Sequence, residues 1–237
     1  MLTEPSWKTF EHEVLNLEEI YIFKLFVPEV TLIVNNLFEE ILSKSELVKA
    51  EKFRFPKDKE LFITGRLVSR LLIEHMLNLS LKCREFDFTK RGKPMYPGLE
   101  FNLSHSGKYV LIIISNRSVG IDIEIPETNF DFSTVLEHTF SLEEINYIKK
   151  SDYRRECFLT LWTRKEALLK ATGEGLIDDL TSISVLDHTI KRMGSNYIIN
   201  SFKINDTDIA SVAIKGAPVK LNTFNILPPF FHACINE

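Results

Sequence analysis

The segment VGIDIEI, residues 119–125, constrains the fold more than any other stretch because apolar and acidic residues alternate along it. Successive side chains of a β-strand point to opposite faces, so the three isoleucines are predicted to share one face and Asp122 and Glu124 the other. The two carboxylates then lie about 6–7 Å apart along the strand. Two interpretations stay open at this point. The segment is either an ordinary antiparallel strand with one face in water or a pair of oxygen ligands for a hard cation such as Mg²⁺.

The composition is that of a soluble globular protein. With 237 residues, 44% of them hydrophobic and 26% charged, the chain is long enough for one large domain or two compact halves. Its three cysteines, Cys83, Cys157 and Cys234, show no paired spacing. Neither a disulfide framework nor a zinc site is therefore predicted.

The sequence predicts a cytoplasmic protein without membrane association. The opening residues MLTEPSWKTFEHEV lack the basic start and apolar run of a signal peptide. The apolar stretches are all shorter than the roughly 20 residues that a membrane-spanning helix needs.

Charge is distributed unevenly along the chain. The range from Lys49 to Lys93 carries twelve Lys and Arg residues against six Asp and Glu, whereas the range from Val119 onward carries twelve against seventeen. Both ranges are explained by solvated surface, or by a cleft in which a basic half binds a polyanion and an acidic half supplies metal ligands. Nucleic acid is not expected as a partner, because the net charge is −4 and no recognised nucleic-acid-binding motif is present.

Hydrophobic periodicity and turn residues predict a mixture of helices and strands in two α/β halves that meet near residue 118. Helices are predicted over 61–79 and 154–172, and a capping box of Ser141 and Glu144 predicts a third. The strand YVLIIIS is predicted to form a hairpin with VGIDIEI. Four further strands are predicted near the end of the chain, at 182–186, 196–200, 209–214 and 221–227.

A third carboxylate and two lysines stand out on the helix predicted over 154–172. Glu166 and Lys170 are an i, i+4 pair at the edge of the apolar face of this helix. The pair either lies at the lip of a cleft or only stabilises the helix. Lys165 falls inside the apolar arc, so its side chain either extends along it to solvent or pairs with an anion in the interior.

A small polar turn is the last candidate for binding chemistry. In FNLSHSGKYV, the small residues Ser104 and Gly107 would let a loop approach a phosphate, and His105 would hydrogen-bond it. The spacing of a nucleophile elbow is missing around Ser104 and Ser106, so the turn does not predict a catalytic serine.

Four segments together resemble a known protein family. RGKPMY, FNLSHSG, VGIDIEI and FLTLWTRKEALLKATGEGL occur in the order and spacing of the Sfp-type 4′-phosphopantetheinyl transferases. The resemblance covers Lys49 to Leu176, more than half of the chain. The combination of G-[IV]-D-[IV]-E with a downstream W-x-x-K-E-x-x-x-K is highly specific, although each piece alone is not.

The resemblance implies an α/β (α+β) fold of two similar subdomains with pseudo-twofold symmetry and the active site in the cleft between them. Residues 1–118 would form the subdomain with the coenzyme A-binding basic segment, and residues 119–237 the subdomain with the metal ligands. Members of the family move the 4′-phosphopantetheine arm of coenzyme A to a serine of an acyl or peptidyl carrier protein. They release adenosine 3′,5′-bisphosphate and use Mg²⁺, for which Mn²⁺ can substitute.

The resemblance also implies roles for individual residues. Asp122, Glu124 and Glu166 are similar to the family's metal ligands, with Glu166 as the best candidate to accept the serine proton. Lys170 is similar to the lysine near the α-phosphate, and Asp122 and Lys170 join Glu166 as catalytic residues. The residues expected to bind coenzyme A are Lys49, Lys90, Arg91, Gly92, Lys93, Ser104, His105, Gly107, Lys165 and Lys170.

The chain departs from the family at one position. Many members carry Arg where this chain has Leu61, and Lys59 or Arg66 offers a substitute cation. The expectation is a monomeric holo-[acyl-carrier-protein] synthase, because one chain supplies both sides of the cleft. A Mg²⁺-dependent phosphohydrolase acting on coenzyme A and a carrier-binding module without catalysis are the alternatives. The sequence does not show which carrier or biosynthetic pathway is served.

Overall fold

A computed structural model describes residues 2–126, 131–175, 177–218 and 220–235 of the chain. Leu176, the last residue of the family resemblance, therefore lies outside the described residues. Nine elements precede residue 118: β1 (Lys8–Thr9), β2 (Ile20–Phe26), α1 (Val27–Ile41), α2 (Lys44–Ala50), α3 (Pro56–Leu77), β3 (Asp87–Phe88), β4 (Pro94–Met95), β5 (Glu100–Ser106) and β6 (Tyr109–Ser115).

The described residues after 118 alternate in the same way between strands and helices. Short 3-10 turns lie at Phe132–Val135 and Leu180–Ser182. The elements are β7 (Val119–Glu124), α4 (Leu136–Thr139), α5 (Leu142–Lys150), α6 (Arg154–Thr172), β8 (Thr189–Arg192), β9 (Ser195–Lys203), β10 (Ile209–Lys215), β11 (Leu221–Ile226) and α7 (Pro228–Ile235).

Two main sheets form the centre of the fold. The first has the strand order β1-β11-β2-β6-β5 and the second the order β7-β10-β9-β8, while β3 and β4 make a separate two-stranded ribbon. Strand β11 pairs in parallel with β1 and β2, and the other strand pairs are antiparallel. The mixture of helices and sheets is the α/β class that the sequence predicted.

The two sheets pack face to face, and helices cover their outer faces. Ile121 and Ile123 of β7 pack against Ile22 and Ile113 of the first sheet in a shared core between the sheets. Helices α1 and α3 cover the other face of the first sheet, and α5 and α6 that of the second. Both halves thus have the same order of layers, whereas their relation by a twofold axis stays a prediction.

This layering tests the interpretation of VGIDIEI as an ordinary antiparallel strand with one face in water. The isoleucines face the core between the sheets, as predicted. The opposite face of β7 packs on α6 instead of facing water, and Asp122 is only 4% exposed. The two acidic residues are therefore not the wet side of an ordinary antiparallel strand.

The predicted division at residue 118 needs a correction at the end of the chain. The turn between β6 and β7 does separate the two main sheets. However, β11 inserts between β1 and β2, and Phe230 and Phe231 of α7 lie in the core of the first half. Strand β11 pairs with β2, whose backbone groups on that side would otherwise be unpaired.

Two predictions about strands were wrong. Strand β6 pairs with β2 and β5, and β7 pairs with β10, so the predicted hairpin between β6 and β7 is replaced by a crossing from one sheet to the other. The segment 182–186 begins at the last residue of the 3-10 turn Leu180–Ser182 and does not form a strand. The carbonyls of Leu180 and Ile183 accept hydrogen bonds from the buried Lys165 ammonium, so the Ile183 carbonyl is used by a side chain instead of by a neighbouring strand.

The helix predictions were confirmed more closely. Helix α3 contains nearly all of the predicted range 61–79, and α6 ends at Thr172, directly before Gly173, whose φ of +71° suits glycine. The capping box is present, since Ser141 Oγ accepts from the Glu144 backbone N–H at 3.2 Å and Glu144 accepts from the Ser141 N–H at 2.9 Å. In the ranges described above, no helix is long and apolar enough to cross a membrane.

Gly120 allows α6 to lie directly against β7. A Cβ atom at this position would lie 2.1 Å from the Ala167 carbonyl oxygen and 2.4 Å from the Ala171 nitrogen. Both atoms belong to the helix backbone, which cannot move aside as a flexible side chain can. The absence of a side chain at Gly120 therefore sets the distance between the acidic strand and the helix that carries Glu166 and Lys170.

We expect Gly120→Ala to lower the free energy of unfolding by about 1–3 kcal/mol, the usual cost of overpacking. Chemical denaturation measures the effect. Gly65→Ala is the matched control, because its Cβ would meet Val110 and Leu103 at ordinary distances of 3.5 and 3.6 Å. Alanine is also favoured in a helix by up to about 1 kcal/mol. Equal stability of Gly120→Ala and wild type would contradict the close packing of α6 on β7.

Candidate active site

The candidate site lies where the two main sheets meet. Strands β5 and β7 are edge strands of their sheets, and they lie close to each other. The Asn102 side-chain oxygen accepts a hydrogen bond from the Ile121 backbone N–H at 3.1 Å, which joins the two edges. This contact fixes the register between the FNLSHSG and VGIDIEI segments.

The register brings serines of β5 to the carboxylates of β7. Ser104 Oγ donates to Asp122 Oδ1 at 2.8 Å, and Ser106 Oγ lies 3.5 Å from a Glu124 oxygen. Lys170 Nζ reaches the same point from α6, at 2.7 Å from Asp122 Oδ1, 3.0 Å from Ser104 Oγ and 3.1 Å from the Ile121 carbonyl. A hydroxyl, a carboxylate and an ammonium from three elements thus converge.

Asp122 keeps one oxygen free. Its Oδ2 is buried and has no hydrogen-bond partner among the residues that the structure describes. A carboxylate oxygen can only accept hydrogen bonds or bind a cation, and burying it without a partner costs free energy. The atom is therefore placed for a group that comes from outside the chain.

The pKa values of the other two acidic residues, Glu124 and Glu166, are raised. Burial raises the pKa of Glu124 to about 7, and repulsion from the Asp122 carboxylate adds to the shift. Burial and the same repulsion raise the pKa of Glu166, while the Lys170 charge lowers it. Trp162 on α6 donates its indole N–H to Glu124 at 3.2 Å and orients it.

This electrostatic coupling fits a divalent cation. Burial and the charge of Asp122 disfavour the ionised forms of Glu124 and Glu166, and a cation among the three carboxylates would stabilise those forms. Oxygen ligands are also those that Mg²⁺ prefers. As they stand, no three His, Cys, Asp or Glu side chains in the described ranges are grouped closely enough to hold a metal. The fit rests instead on Asp122 Oδ2, which has no partner among the described residues, and on the raised pKa values of Glu124 and Glu166.

A basic pocket of about 300 Å³ opens on one side of these residues. It brings together five residues that the sequence predicted for the site. The lining includes Arg66, Arg91, Gly92, Lys93, Asn102, Glu166, Lys170 and Gly175. Lys93 also joins the two halves, because its ammonium binds the Glu100 carboxylate at 2.9 Å and the Val119 carbonyl at 3.2 Å.

An apolar groove of about 590 Å³ opens on the other side, next to Glu124 and Ser106. Gly107 lies in this groove and not in the basic pocket. Its φ of +61° favours glycine, and a Cβ there would lie 1.9 Å from Ile125 Cδ1, so the end of the Ile125 side chain would have to move. The groove is lined mainly by Ile125, Pro126, Phe132, Val135, Phe158, Leu159 and Trp162, with Lys57 and Arg155 as cations.

His105 and Lys49 lie near the polar residues of the site. Burial lowers the pKa of His105, and the charge of Lys170 lowers it further, which favours the neutral imidazole. Lys49 Nζ lies 5.4 Å from the Phe62 ring centroid, and burial and the Arg66 charge lower its pKa. Lys90 is exposed in the loop between β3 and β4.

Lys165 was predicted to bind coenzyme A, and the structure places it elsewhere. Its side chain is buried on the inner side of α6 and forms an ion pair with Glu144 at 2.9 Å. The carbonyls of Leu180 and Ile183 accept its remaining hydrogen bonds. Of the two outcomes left open for its apolar position, pairing with an interior anion is the correct one.

Two contributors were not predicted as site residues. Asn102 joins the sheet edges and Trp162 orients Glu124. The signal for Trp162 was present, since it opens the W-x-x-K-E motif one turn before Glu166. Asn102 follows a phenylalanine in β5, and no spacing rule marks it.

Models of protein families match the two halves of the chain separately. The model "4'-phosphopantetheinyl transferase, N-terminal" matches residues 35–117, and "4'-phosphopantetheinyl transferase superfamily" matches residues 118–213. The two matches meet at the turn between β6 and β7. Every residue placed at the site above falls within one of them.

Curated proteins with similar sequences carry the same family name. The 4'-phosphopantetheinyl transferase Sfp of Bacillus subtilis is 30% identical over 65% of this chain and 70% of its own length. HetI of Nostoc sp., also named a 4'-phosphopantetheinyl transferase, is 28% identical over 81% of this chain and 83% of its own length.

A putative 4'-phosphopantetheinyl transferase of Synechocystis sp. is 31% identical over 62% of this chain. The chain spans only 63% of the length of that relative. Together, the two family models and these relatives show that the chain belongs to the 4'-phosphopantetheinyl transferase superfamily, a family of transferases.

Proposed function

We propose that the protein transfers the 4′-phosphopantetheine arm of coenzyme A to a serine of an acyl or peptidyl carrier protein, with Mg²⁺ at the three carboxylates. The observation that supports this proposal best is Asp122. One of its oxygens is bound by Lys170 and Ser104, and the other is buried with no hydrogen-bond partner in the part of the chain that the structure describes. A cation bound there would lie at the junction of the basic pocket and the apolar groove.

The two cavities suit the two parts of the substrate. Phosphates of coenzyme A suit the basic pocket, where Arg91, Lys93 and Lys170 supply positive charge. The pantetheine arm is weakly polar and suits the apolar groove beside Glu124. The phosphorus that is transferred would then lie next to the carboxylates, where a carrier serine can approach from the groove.

The chain's own residues account for the proton and for the leaving group. The serine oxygen forms a bond to phosphorus, and the bond to adenosine 3′,5′-bisphosphate breaks. Glu166 accepts the serine proton, and its raised pKa suits a general base. Lys170 stabilises the charge on the departing phosphate, and neutral His105 donates a hydrogen bond to it.

Asp122, Glu124 and Glu166 would hold the metal. When bound, Mg²⁺ supplies positive charge that neutralises the charge developing on the transferring phosphoryl group, and Mn²⁺ has similar ligand preferences. Trp162 and Ser106 keep Glu124 oriented toward the same point.

Two other functions use the same residues. A Mg²⁺-dependent phosphohydrolase would activate water instead of a carrier serine. A carrier-binding module would need the groove alone, and the presence of Asp122, Glu124, Glu166 and Lys170 together favours catalysis over binding. We also propose that the protein is cytoplasmic. We propose further that it is a monomer, because one chain provides both sides of the site.

Mixing the protein with an apo carrier protein, coenzyme A and Mg²⁺ separates the three functions. We expect the carrier to gain one phosphopantetheine by mass spectrometry, with an equal amount of adenosine 3′,5′-bisphosphate released. Bisphosphate released in the absence of carrier would indicate a hydrolase. Co-elution with an unmodified carrier would indicate a binding module. Either result, or a mass gain on a carrier whose acceptor serine is changed to alanine, would overturn the proposal.

Glu166→Gln is expected to fold normally and to lose transfer activity by about 10²-fold or more, because the amide can neither accept the proton nor bind the cation as a carboxylate does. Initial rates of carrier labelling measure the loss. Glu156→Gln is the matched control on the same helix, since Glu156 forms a surface ion pair with Lys203 at 3.0 Å. A Glu166→Gln rate within about tenfold of wild type would remove Glu166 from the chemistry.

A further inference from the structure

A row of polar side chains crosses the face of the second sheet that packs on α6. Ser201, Ser211 and Asp122 are register partners on the adjacent strands β9, β10 and β7. Opposite residues of an antiparallel pair share one face of the sheet, and each of these three is hydrogen-bonded to a side chain of α6. Buried polar groups are costly unless their hydrogen bonds are made, so the partners of this row determine its effect on the site.

The hydroxyls of the row belong to a hydrogen-bonded chain that begins and ends on α6. Arg164 Nε donates to Ser201 Oγ at 2.9 Å. Ser211 Oγ lies 2.8 Å from Ser201 Oγ and 2.7 Å from the oxygen of the buried Thr163 hydroxyl. Thr163 in turn donates to backbone carbonyls of the preceding helical turn, at 2.9 Å for Leu159. The chain thus joins the helix to β9 and β10.

The two ends of this chain fix the direction of its hydrogen bonds. An arginine N–H can only donate, a carbonyl oxygen can only accept, and each hydroxyl has a single proton. Ser201 therefore accepts from Arg164 and donates to Ser211. Ser211 donates to Thr163, whose own proton is used by the carbonyls. This is the one arrangement in which every hydroxyl of the chain donates to another member.

This direction keeps the Ser211 proton away from Asp122. The Cβ atoms of opposite residues in an antiparallel pair lie about 4.5–5.5 Å apart, close enough for a serine hydroxyl to reach a carboxylate. Asp122 Oδ2 nonetheless has no hydrogen-bond partner among the described residues, which agrees with a Ser211 hydroxyl directed at Thr163. The hydroxyl opposite Asp122 in the sheet is therefore withheld from this oxygen.

The hydroxyl on the other side of Asp122 is used differently. Ser104 of β5 donates to Asp122 Oδ1 at 2.8 Å, and Lys170 donates to the same oxygen at 2.7 Å. Two donors compensate the charge on Oδ1, whereas Ser211 gives its hydrogen bond to α6. The carboxylate therefore has one oxygen held by the protein and one whose lone pairs stay available to a ligand.

Thr163 is the acceptor on which this difference depends. We propose, as an extension of the function proposed above, that Thr163 is a positioning residue for the cation site. It accepts the hydrogen bond of Ser211 and so leaves Asp122 Oδ2 open to Mg²⁺. Thr163 acts through Ser211 and is itself neither a ligand nor a catalytic residue.

Thr163→Val tests this role, because valine has nearly the shape of threonine but no oxygen to accept a hydrogen bond. We expect the released Ser211 hydroxyl to donate to Asp122 Oδ2 and to weaken Mn²⁺ binding about tenfold, the effect of one hydrogen bond to a charged group. The EPR signal of unbound Mn²⁺, recorded with coenzyme A and corrected with a sample that lacks protein, measures the affinity. Thr163→Ser keeps the acceptor and should bind Mn²⁺ as wild type does.

The double variant Thr163→Val/Ser211→Ala distinguishes this role from a merely structural one. Alanine at position 211 removes the competing hydroxyl, so the Mn²⁺ affinity should return to within about threefold of wild type, whereas two independent structural losses would add. A double variant that binds no better than Thr163→Val would overturn the inference, as would wild-type affinity in Thr163→Val. Ser211→Ala alone should also stay within about threefold. A tenfold loss there would overturn the inference even if Thr163→Val did not fold.

Carrier labelling separates this inference from the proposed function. In Thr163→Val, the Mg²⁺ concentration for half-maximal rate should rise about tenfold, with kcat at saturating Mg²⁺ near wild type, because the cation then displaces the hydrogen bond. Labelling by wild type with an unchanged Mg²⁺ requirement in Thr163→Val would overturn the role of Thr163 alone. A wild-type protein that neither binds Mn²⁺ nor labels a carrier would overturn the proposed function and this extension with it.

Discussion

The buried carboxylate of Asp122 is the interaction on which the arrangement of the site depends. A carboxylate that is 4% exposed must be paired, and here the partners come from β5 and α6. Ser104 and Lys170 both donate hydrogen bonds to Asp122 Oδ1. They can do so only if β5, β7 and α6 keep their positions relative to one another. The contact between Asn102 and Ile121, together with the close approach of α6 at Gly120, provides that register. The polar site and the packing of the fold are therefore linked.

Helix α6 directs three consecutive side chains to three different surroundings. Arg164 donates to the Val185 carbonyl and to Ser201 at 2.9 Å each, which ties the helix to the second sheet. Lys165 forms the buried ion pair with Glu144 and fixes the helix against α5. Glu166 lies at the basic pocket. The first two contacts prevent rotation of the helix, and this leaves Glu166 and Lys170 in a fixed position toward β7.

Much of this site was predictable from the sequence, because alternation and helical spacing report which residues share a face. The alternation in VGIDIEI correctly separated the isoleucines from the carboxylates, and the capping box at Ser141 correctly placed the start of α5. Periodicity does not report which partner covers a face. For this reason the pairing of β7 with β10 and the return of β11 to the first sheet were beyond prediction, and the sequence left open whether Lys165 points inward.

We propose that Asp122 Oδ2, which has no hydrogen-bond partner among the residues described, is a cation ligand at the junction of the two halves. A crystal structure of the protein with coenzyme A and Mn²⁺, with anomalous scattering recorded for the manganese, tests it most directly. We expect one anomalous peak in contact with Asp122 and at least one of Glu124 and Glu166, at about the 2.1 Å that oxygen ligands adopt around small divalent ions. An ordered coenzyme A with no peak at Asp122, or with the metal bound elsewhere, would contradict the account.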